Sequence, residues 1–227
     1  MAGVKILSET TKQPLTLMGK MSGICYNSDI ESDKKNYKRG KRCVLDGHGR
    51  VLEFPQVYMD ITGYSARVIR EFYTAIGGLP TRLQASTRYI DYSDFEYYVP
   101  QSIAREKDAK FAYDAAMTVI KKQIDFLQNE CNIPKEDVAN LLPLGMTTVV
   151  SCRFNARTLS SMSAQRLCTR TYSEYRCLMR DIINALKDYS EEWNELCDMI
   201  MKCKCDVSGF CSESKSCGRH PKKVLDE

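Results

Sequence analysis

The chain has 227 residues, 43% of them hydrophobic and 27% charged, with a net charge of +4. That is enough chain to bury a sizeable core, and the basic excess is too small to demand a nucleic-acid partner. No apolar run is long enough to span a membrane and Met1 to Gln13 lack the apolar core of a secretory signal, so neither membrane nor nucleic-acid contact is expected and a cytoplasmic location is.

Val4 to Leu7 has the pattern of a short strand. Leu15 to Tyr26 has helical periodicity, with Leu17, Met21, Ile24 and Cys25 on one face. Residues 28 to 42 are highly charged and predict a solvated loop leading into a helix. Asp46 to Phe54 forms a glycine-hinged turn that carries His48, one of two histidines. Val57 to Ile61 alternates as a strand does, and Ser65 can cap a helix running to Ile76 and ending at Gly77. Lys107 to Asn132 is the longest helical pattern, with Tyr113, Ala116, Ile120, Ile124 and Leu127 on one apolar stripe. Pro134 opens a further helix that ends near Pro143, and Thr147 to Phe154 is rich in β-formers. Ser190 to Met201 predicts a docked helix with Trp193, Leu196 and Ile200 inward. No internal repeat or low-complexity linker appears, so residues 1–201 are expected to form one domain, followed by a cysteine-rich tail, 202–227.

Two stretches carry chemistry. Pro80 to Tyr89 follows a Gly77-Gly78 turn and holds two arginines, a glutamine and several hydroxyls, an inventory of donors suited to an oxyanion such as phosphate. Asn155 is a good N-cap for a helix reaching Thr169, on which Asn155, Leu159, Met162 and Arg166 share one stripe. Arg166 is thereby directed among apolar residues, and a cation so placed needs an anionic partner. Arg157, Ser161 and Gln165 make a second, polar row on the same helix, and Arg170, Glu174 and Arg176 follow it. Structural ion pairs with Glu53, Asp60 or Glu174 are the plainer use of these arginines.

The 11 cysteines are odd in number and mostly scattered through helical patterns, which argues for free thiols over a disulfide framework. Cys203, Cys205, Cys211 and Cys217 are clustered as Cys-x-Cys-x5-Cys-x5-Cys. Thiolates at short spacing hold zinc in many proteins, but this spacing matches no common zinc-finger pattern. A loosely ordered reduced tail and a redox disulfide are the other readings. No metal is expected where the chemistry is done.

The order of these segments resembles the flavin-dependent thymidylate synthases. Leu142-Pro143-Leu144 followed by Thr148, then Asn155-x-Arg157-x-Leu159, Arg166 and Glu174-x-Arg176, is similar to that family's C-terminal pattern. Ser86-Thr87-Arg88-Tyr89 resembles the end of its signature, Gly47-His48 with Leu52-Glu53 a further segment, and Leu7, Thr11, Cys25 and Tyr26 its opening. The resemblance implies an α+β fold in which a mixed sheet packs with long helices in a single domain. It implies a homotetramer with active sites at subunit interfaces, converting dUMP to dTMP. The cofactor implied is FAD, reduced by NADPH, with methylenetetrahydrofolate as one-carbon donor and no cysteine nucleophile. By position, Gln84, Ser86 and Arg88 contact dUMP, Arg88 at its phosphate. Arg166 contacts the pyrimidine oxygen edge as the catalytic residue, and Asn155, Arg157 and Arg170 face FAD. The sequence departs from the family pattern in places. No Arg-His-Arg triplet stands between Arg70 and Gly78, Phe54 replaces a histidine, Arg170 replaces another, and Ala139-Asn140 replaces a nucleotide-contacting arginine. The alternatives these leave open are a non-catalytic or partner subunit of the same fold and a related pyrimidine one-carbon transferase with a changed product.

Overall fold

The computed structural model describes residues 2–74 and 81–222. The Gly77-Gly78 turn, Pro80 and the expected helix end at Ile76 lie outside the described residues. The elements run β1 (Gly3–Ile6), α1 (Pro14–Ile24), α2 (Asp33–Leu45), a 3-10 turn (Gly49–Glu53), β2 (Gln56–Ser65), α3 (Ala66–Phe72), β3 (Thr81–Gln84), α4 (Gln101–Ala104) and α5 (Lys107–Asp125). There follow a π turn (Phe126–Glu130), α6 (Lys135–Val138), a 3-10 turn (Ala139–Leu141), β4 (Thr147–Asn155), α7 (Ala156–Arg166), α8 (Ser173–Tyr189), α9 (Glu191–Ile200) and α10 (Lys204–Ser208). The four strands form one sheet in the order β1-β2-β4-β3. Strands β2 and β4 run antiparallel, since Ala66 N–H donates to Met146 O at one end and Ala156 N–H donates to Pro55 O at the other. The α+β class is as expected. The chain divides into two compact units, and the division passes through β2 and β4.

One unit holds residues 61–74 and 82–151. Its core is Phe95, Met117, Ile124, Val138 and Met146, with Tyr97, Tyr113, Ile120, Leu127 and Leu142 packed against it. The inward stripe of α5 and the π turn after it is therefore Tyr113, Met117, Ile120, Ile124 and Leu127, and Ala116 faces solvent. Spacing by fours and threes admits either residue, and the larger apolar side chain takes the core position. Ser65 Oγ accepts from Val68 N–H at 3.2 Å and caps α3 as expected, although α3 stops at Phe72.

The other unit holds, among the described residues, 4–60, 81 and 152–222. The buried face of α8 is Tyr175, Leu178, Met179, Ile182 and Leu186, each with no exposed surface. Trp193 of α9 is equally buried and its Nε1–H donates to Thr11 O at 2.6 Å, so α9 docks as its periodicity predicts. Helix α2 begins at Asp33 because Ser32 Oγ accepts from Lys35 N–H at 3.4 Å, inside the segment expected to be a loop. It buries Asn36 and Gly40 and carries no apolar stripe. Its contact with α1 depends on glycine, because a Cβ on Gly19 would lie 1.7 Å from Asn36 O and one on Gly40 would lie 1.9 Å from Leu15 O. Among the described residues no helix is long and apolar enough to cross a membrane.

Candidate functional site

The arginine loop of the first unit begins on β3. This strand is exposed along its length, and register with β4 is continued by Ala85 N–H donating to Val149 O at 2.9 Å. Gln84 is fixed at both ends of its amide. Its Oε1 accepts from Tyr73 Oη at 3.0 Å and its Nε2 donates to Thr148 Oγ1 at 3.3 Å. Ser86 Oγ accepts from Arg88 N–H at 3.2 Å, which closes a local turn and sends the Arg88 side chain outward. Arg88 is paired through Nε with Glu136 at 2.7 Å, both side chains being more than half exposed. Its guanidinium also lies 5.7 Å from the Tyr89 ring centroid. Gln84, Ser86 and Arg88 thus stand on one short segment, with Glu136 as a partner that sequence spacing does not reveal. Arg82 stacks on Tyr73, 4.1 Å from the ring centroid.

The second unit carries Asn155, Arg157, Arg166 and Arg170. Asn155 is buried, and its Oδ1 accepts from Thr158 N–H at 2.8 Å, so the expected N-cap starts α7 directly off β4. Its oxygen is thereby committed to the helix. Arg157, two residues on, is exposed and pairs with Glu53. The Gly47-His48…Leu52-Glu53 and Asn155-x-Arg157 segments, far apart in the chain, therefore meet through one ion pair. Gly47 at φ +75° supplies the turn that brings the first of them round.

Along α7, Leu159 and Met162 are buried and Arg166 is half-buried, as the stripe predicts. The guanidinium of Arg166 lies 4.8 Å from the centroid of the fully buried Tyr175 ring. Among the described residues no carboxylate comes within ion-pair distance of it. An aromatic face supplies part of the compensation that an anion would give in full. The helix ends at Arg166 instead of Thr169. Thr171 Oγ1 donates to Gln165 O at 3.0 Å, and Arg176 Nη1 donates to Thr169 O and Thr171 O at 2.6 and 2.7 Å. Arg176 is in this way the brace of the turn between α7 and α8.

Arg170 meets the tail, with Nε 3.3 Å from Glu213 Oε2 and Nη1 donating to Ser214 Oγ at 3.3 Å. The polar row of α7 also faces the tail. Ser161 and Gln165 line a cleft of about 600 Å³ together with Cys168, Cys203, Cys205 and Cys211. Burial pushes the Cys152 and Cys197 thiols up to about 12, which removes both as nucleophiles near neutral pH.

The family model described as thymidylate synthase complementing protein (Thy1) matches residues 6–190. The chain is 24% identical over 239 residues to a flavin-dependent thymidylate synthase of Nitratidesulfovibrio vulgaris, covering 96% of this chain and 95% of that one. It is 28% identical over 194 residues to one of Sulfurisphaera tokodaii, covering 81% and 73% of the two chains. In fold it is similar to the Helicobacter pylori flavin-dependent thymidylate synthase complexed with FAD and dUMP, with a TM-score of 0.67 at 19% identity over 86% of this chain and 99% of that one. It is also similar to the UMP/dUMP methylase PolB of Streptomyces cacaoi bound with 5-Br dUMP, with a TM-score of 0.71 at 13% identity over 87% and 95%.

Proposed function

The chain belongs to the thymidylate synthase complementing protein family, and from that premise we propose that it is a flavin-dependent transferase that converts dUMP to dTMP. In this reaction the proton on C5 of the uracil ring gives way to a methyl group. The methylene carbon of methylenetetrahydrofolate and one hydride make up that methyl, and tetrahydrofolate leaves. FAD, when bound and reduced by NADPH, supplies the hydride.

The observation that carries the reading is Arg166, a half-buried cation stacked on Tyr175 with no carboxylate partner among the described residues. A fixed guanidinium that is not neutralised by the protein is suited to the oxygen edge of a pyrimidine, where it favours the enolate-like charge distribution. Arg88 is assigned to the dUMP phosphate, with Ser86 and Gln84 beside it. Its present partner is well matched to exchange. The Arg88–Glu136 pair is exposed and such pairs contribute only about 0–1 kcal/mol. A charge-assisted bond to phosphate is worth about 1.5–3 kcal/mol, so a nucleotide can displace Glu136.

The donor set fits FAD in kind. Arg157 and Arg170 present exposed guanidinium groups held by Glu53 and Glu213, carboxylates that a diphosphate can replace. Asn155 serves the cofactor through position, by fixing where α7 begins and hence where Arg157 projects. Assembly as a homotetramer belongs to the same reading and is supported by exposed apolar side chains on and beside α5, Phe111, Val119 and Phe126. The missing Arg-His-Arg triplet favours one second reading, a non-catalytic or partner subunit of the same fold.

The test is a visible absorption spectrum of the purified protein with FAD, titrated with dUMP. A flavin spectrum that shifts saturably with dUMP is expected, and Arg166→Ala should keep the fold and the bound flavin while losing turnover. A protein that takes up no FAD with or without dUMP would overturn the proposal.

A further inference from the structure

The tail carries a set of sulfur and nitrogen donors separate from the residues assigned to nucleotide and flavin. Cys203 and Cys205 place their sulfurs 3.5 Å apart across α10's first turn, without a disulfide. Zinc bonds to thiolate at about 2.3 Å in tetrahedral geometry, which sets two bound sulfurs about 3.8 Å apart. The donor atoms of Cys205, Asp206 and His220 all lie within 4.8 Å of one another. His220 reaches them because the chain folds back on itself. Cys211 N–H donates to Pro221 O at 2.7 Å, and a bridge joins Cys211 to Lys222. Cys203 and Cys211 are both buried and line the same cleft as Cys205.

We propose that the C-terminal segment is a structural zinc site in which Cys203, Cys205, Cys211 and His220 are the ligands and Asp206 orients His220. Three thiolates and one imidazole are a donor set that structural zinc uses, and soft sulfur with nitrogen selects zinc-class ions over magnesium or calcium. Asp206 lies 2.8 Å from His220 Nε2, the arrangement in which a carboxylate fixes the tautomer and leaves the other ring nitrogen its lone pair. Arg219 lies 3.3 Å from the second oxygen of Asp206 and offsets the excess negative charge of a three-thiolate site. Cys217 stands apart. It is exposed and its thiol bonds toward Thr169, so it is left outside the ligand set.

There is also a physical need for such a site. Among the described residues after Met201 the large apolar side chains are Val207, which is exposed, and Phe210, which is partly buried, so this stretch buries little apolar surface of its own to offset the entropy of ordering it. A metal closes it at four points, and this closure holds Glu213 and Ser214 against Arg170.

The test uses the full chain, purified without a polyhistidine tag or chelator. Elemental analysis should give about one zinc per chain, and cobalt exchanged into the site should show sulfur-to-metal charge transfer with intense tetrahedral bands. Cys205→Ser and His220→Ala should each lower bound zinc at least about tenfold, while Cys217→Ser keeps it. Chelating the wild-type protein should expose the segment after Met201 to protease while the rest of the chain stays intact, a readout that needs no variant to fold. Zinc below about a tenth per chain, cobalt without a thiolate band, or an intact mass showing two hydrogens lost to a disulfide would overturn the site. Loss of zinc in Cys217→Ser with retention in His220→Ala would overturn the ligand set.

Discussion

Glu136 should act as a competitor for the nucleotide phosphate, and removing it should have the opposite effect from removing Arg88. The two side chains are more than half exposed and joined at 2.7 Å, so the pair contributes about 0–1 kcal/mol. Glu136→Gln releases Arg88 from that partner, and dUMP affinity should rise by up to about fivefold. Arg88→Ala deletes a charge-assisted phosphate bond of about 1.5–3 kcal/mol, which weakens dUMP binding by about 10- to 140-fold. The double variant should bind as Arg88→Ala does, because Glu136 acts only through the arginine. Calorimetric titration with dUMP of the four proteins, at fixed low salt, measures each term. If Glu136→Gln weakened binding as much as Arg88→Ala, the ion pair would be holding the loop in place instead of occupying a phosphate position, and the reasoning would fail.

Gly19→Ala should be severely destabilising, since the new Cβ would sit 1.7 Å from a backbone oxygen of Asn36. A loss of at least about 3 kcal/mol is expected, or roughly 6–12 °C in Tm for a chain of this size, and a melt within a degree or two of wild type would refute the close helix contact. Cys152 and Cys197, with thiols pushed up to about 12 by burial, should resist iodoacetamide in the native protein at pH 8. Peptide mass spectrometry checks this, and labelling of either at the rate of Cys25 would contradict the burial. The Glu195 carboxyl is held below its ordinary value first by Lys41 and then by Tyr37, both hydrogen-bonded to it. A depressed folded-state pKa stabilises the protein above the ordinary glutamate pKa of about 4.3 and is lost as pH falls through the lower folded value. Acid melts of Glu195→Gln should accordingly show a shallower fall in stability below pH 4.3 than wild type, and parallel curves would show that the pair contributes nothing.

Local chemistry was legible in the sequence where a single side chain decides a local outcome. Asn155 and Ser65 cap the helices their positions predict, and the Leu159–Met162–Arg166 stripe is inward as helical spacing requires. What spacing could not supply was partnership across the chain. Glu136 on Arg88, Glu53 on Arg157 and Glu213 on Arg170 are each set by tertiary packing, and many acidic residues were equally plausible beforehand. Arg166 was expected to need an anion and instead lies on Tyr175, because an aromatic ring can share the desolvation of a guanidinium. Helix α2 escaped recognition in its first turns because it packs on α1 through glycine and asparagine, leaving no apolar period to detect. His220 is near the tail cysteines in sequence, but its pairing with Asp206 and the backbone bond from Cys211 to Pro221 are tertiary features that spacing does not reveal.

The most direct test of the proposed reaction is the mass of the product nucleotide. The protein would be incubated anaerobically with FAD, NADPH, dUMP and methylenetetrahydrofolate labelled with carbon-13 in its methylene group, and the nucleotides separated and weighed. The expected result is labelled dTMP, formed at a rate that falls at least about 100-fold in Arg166→Ala. Unchanged dUMP from a protein that binds both flavin and nucleotide, or a labelled nucleotide with a mass other than that of dTMP, would contradict it.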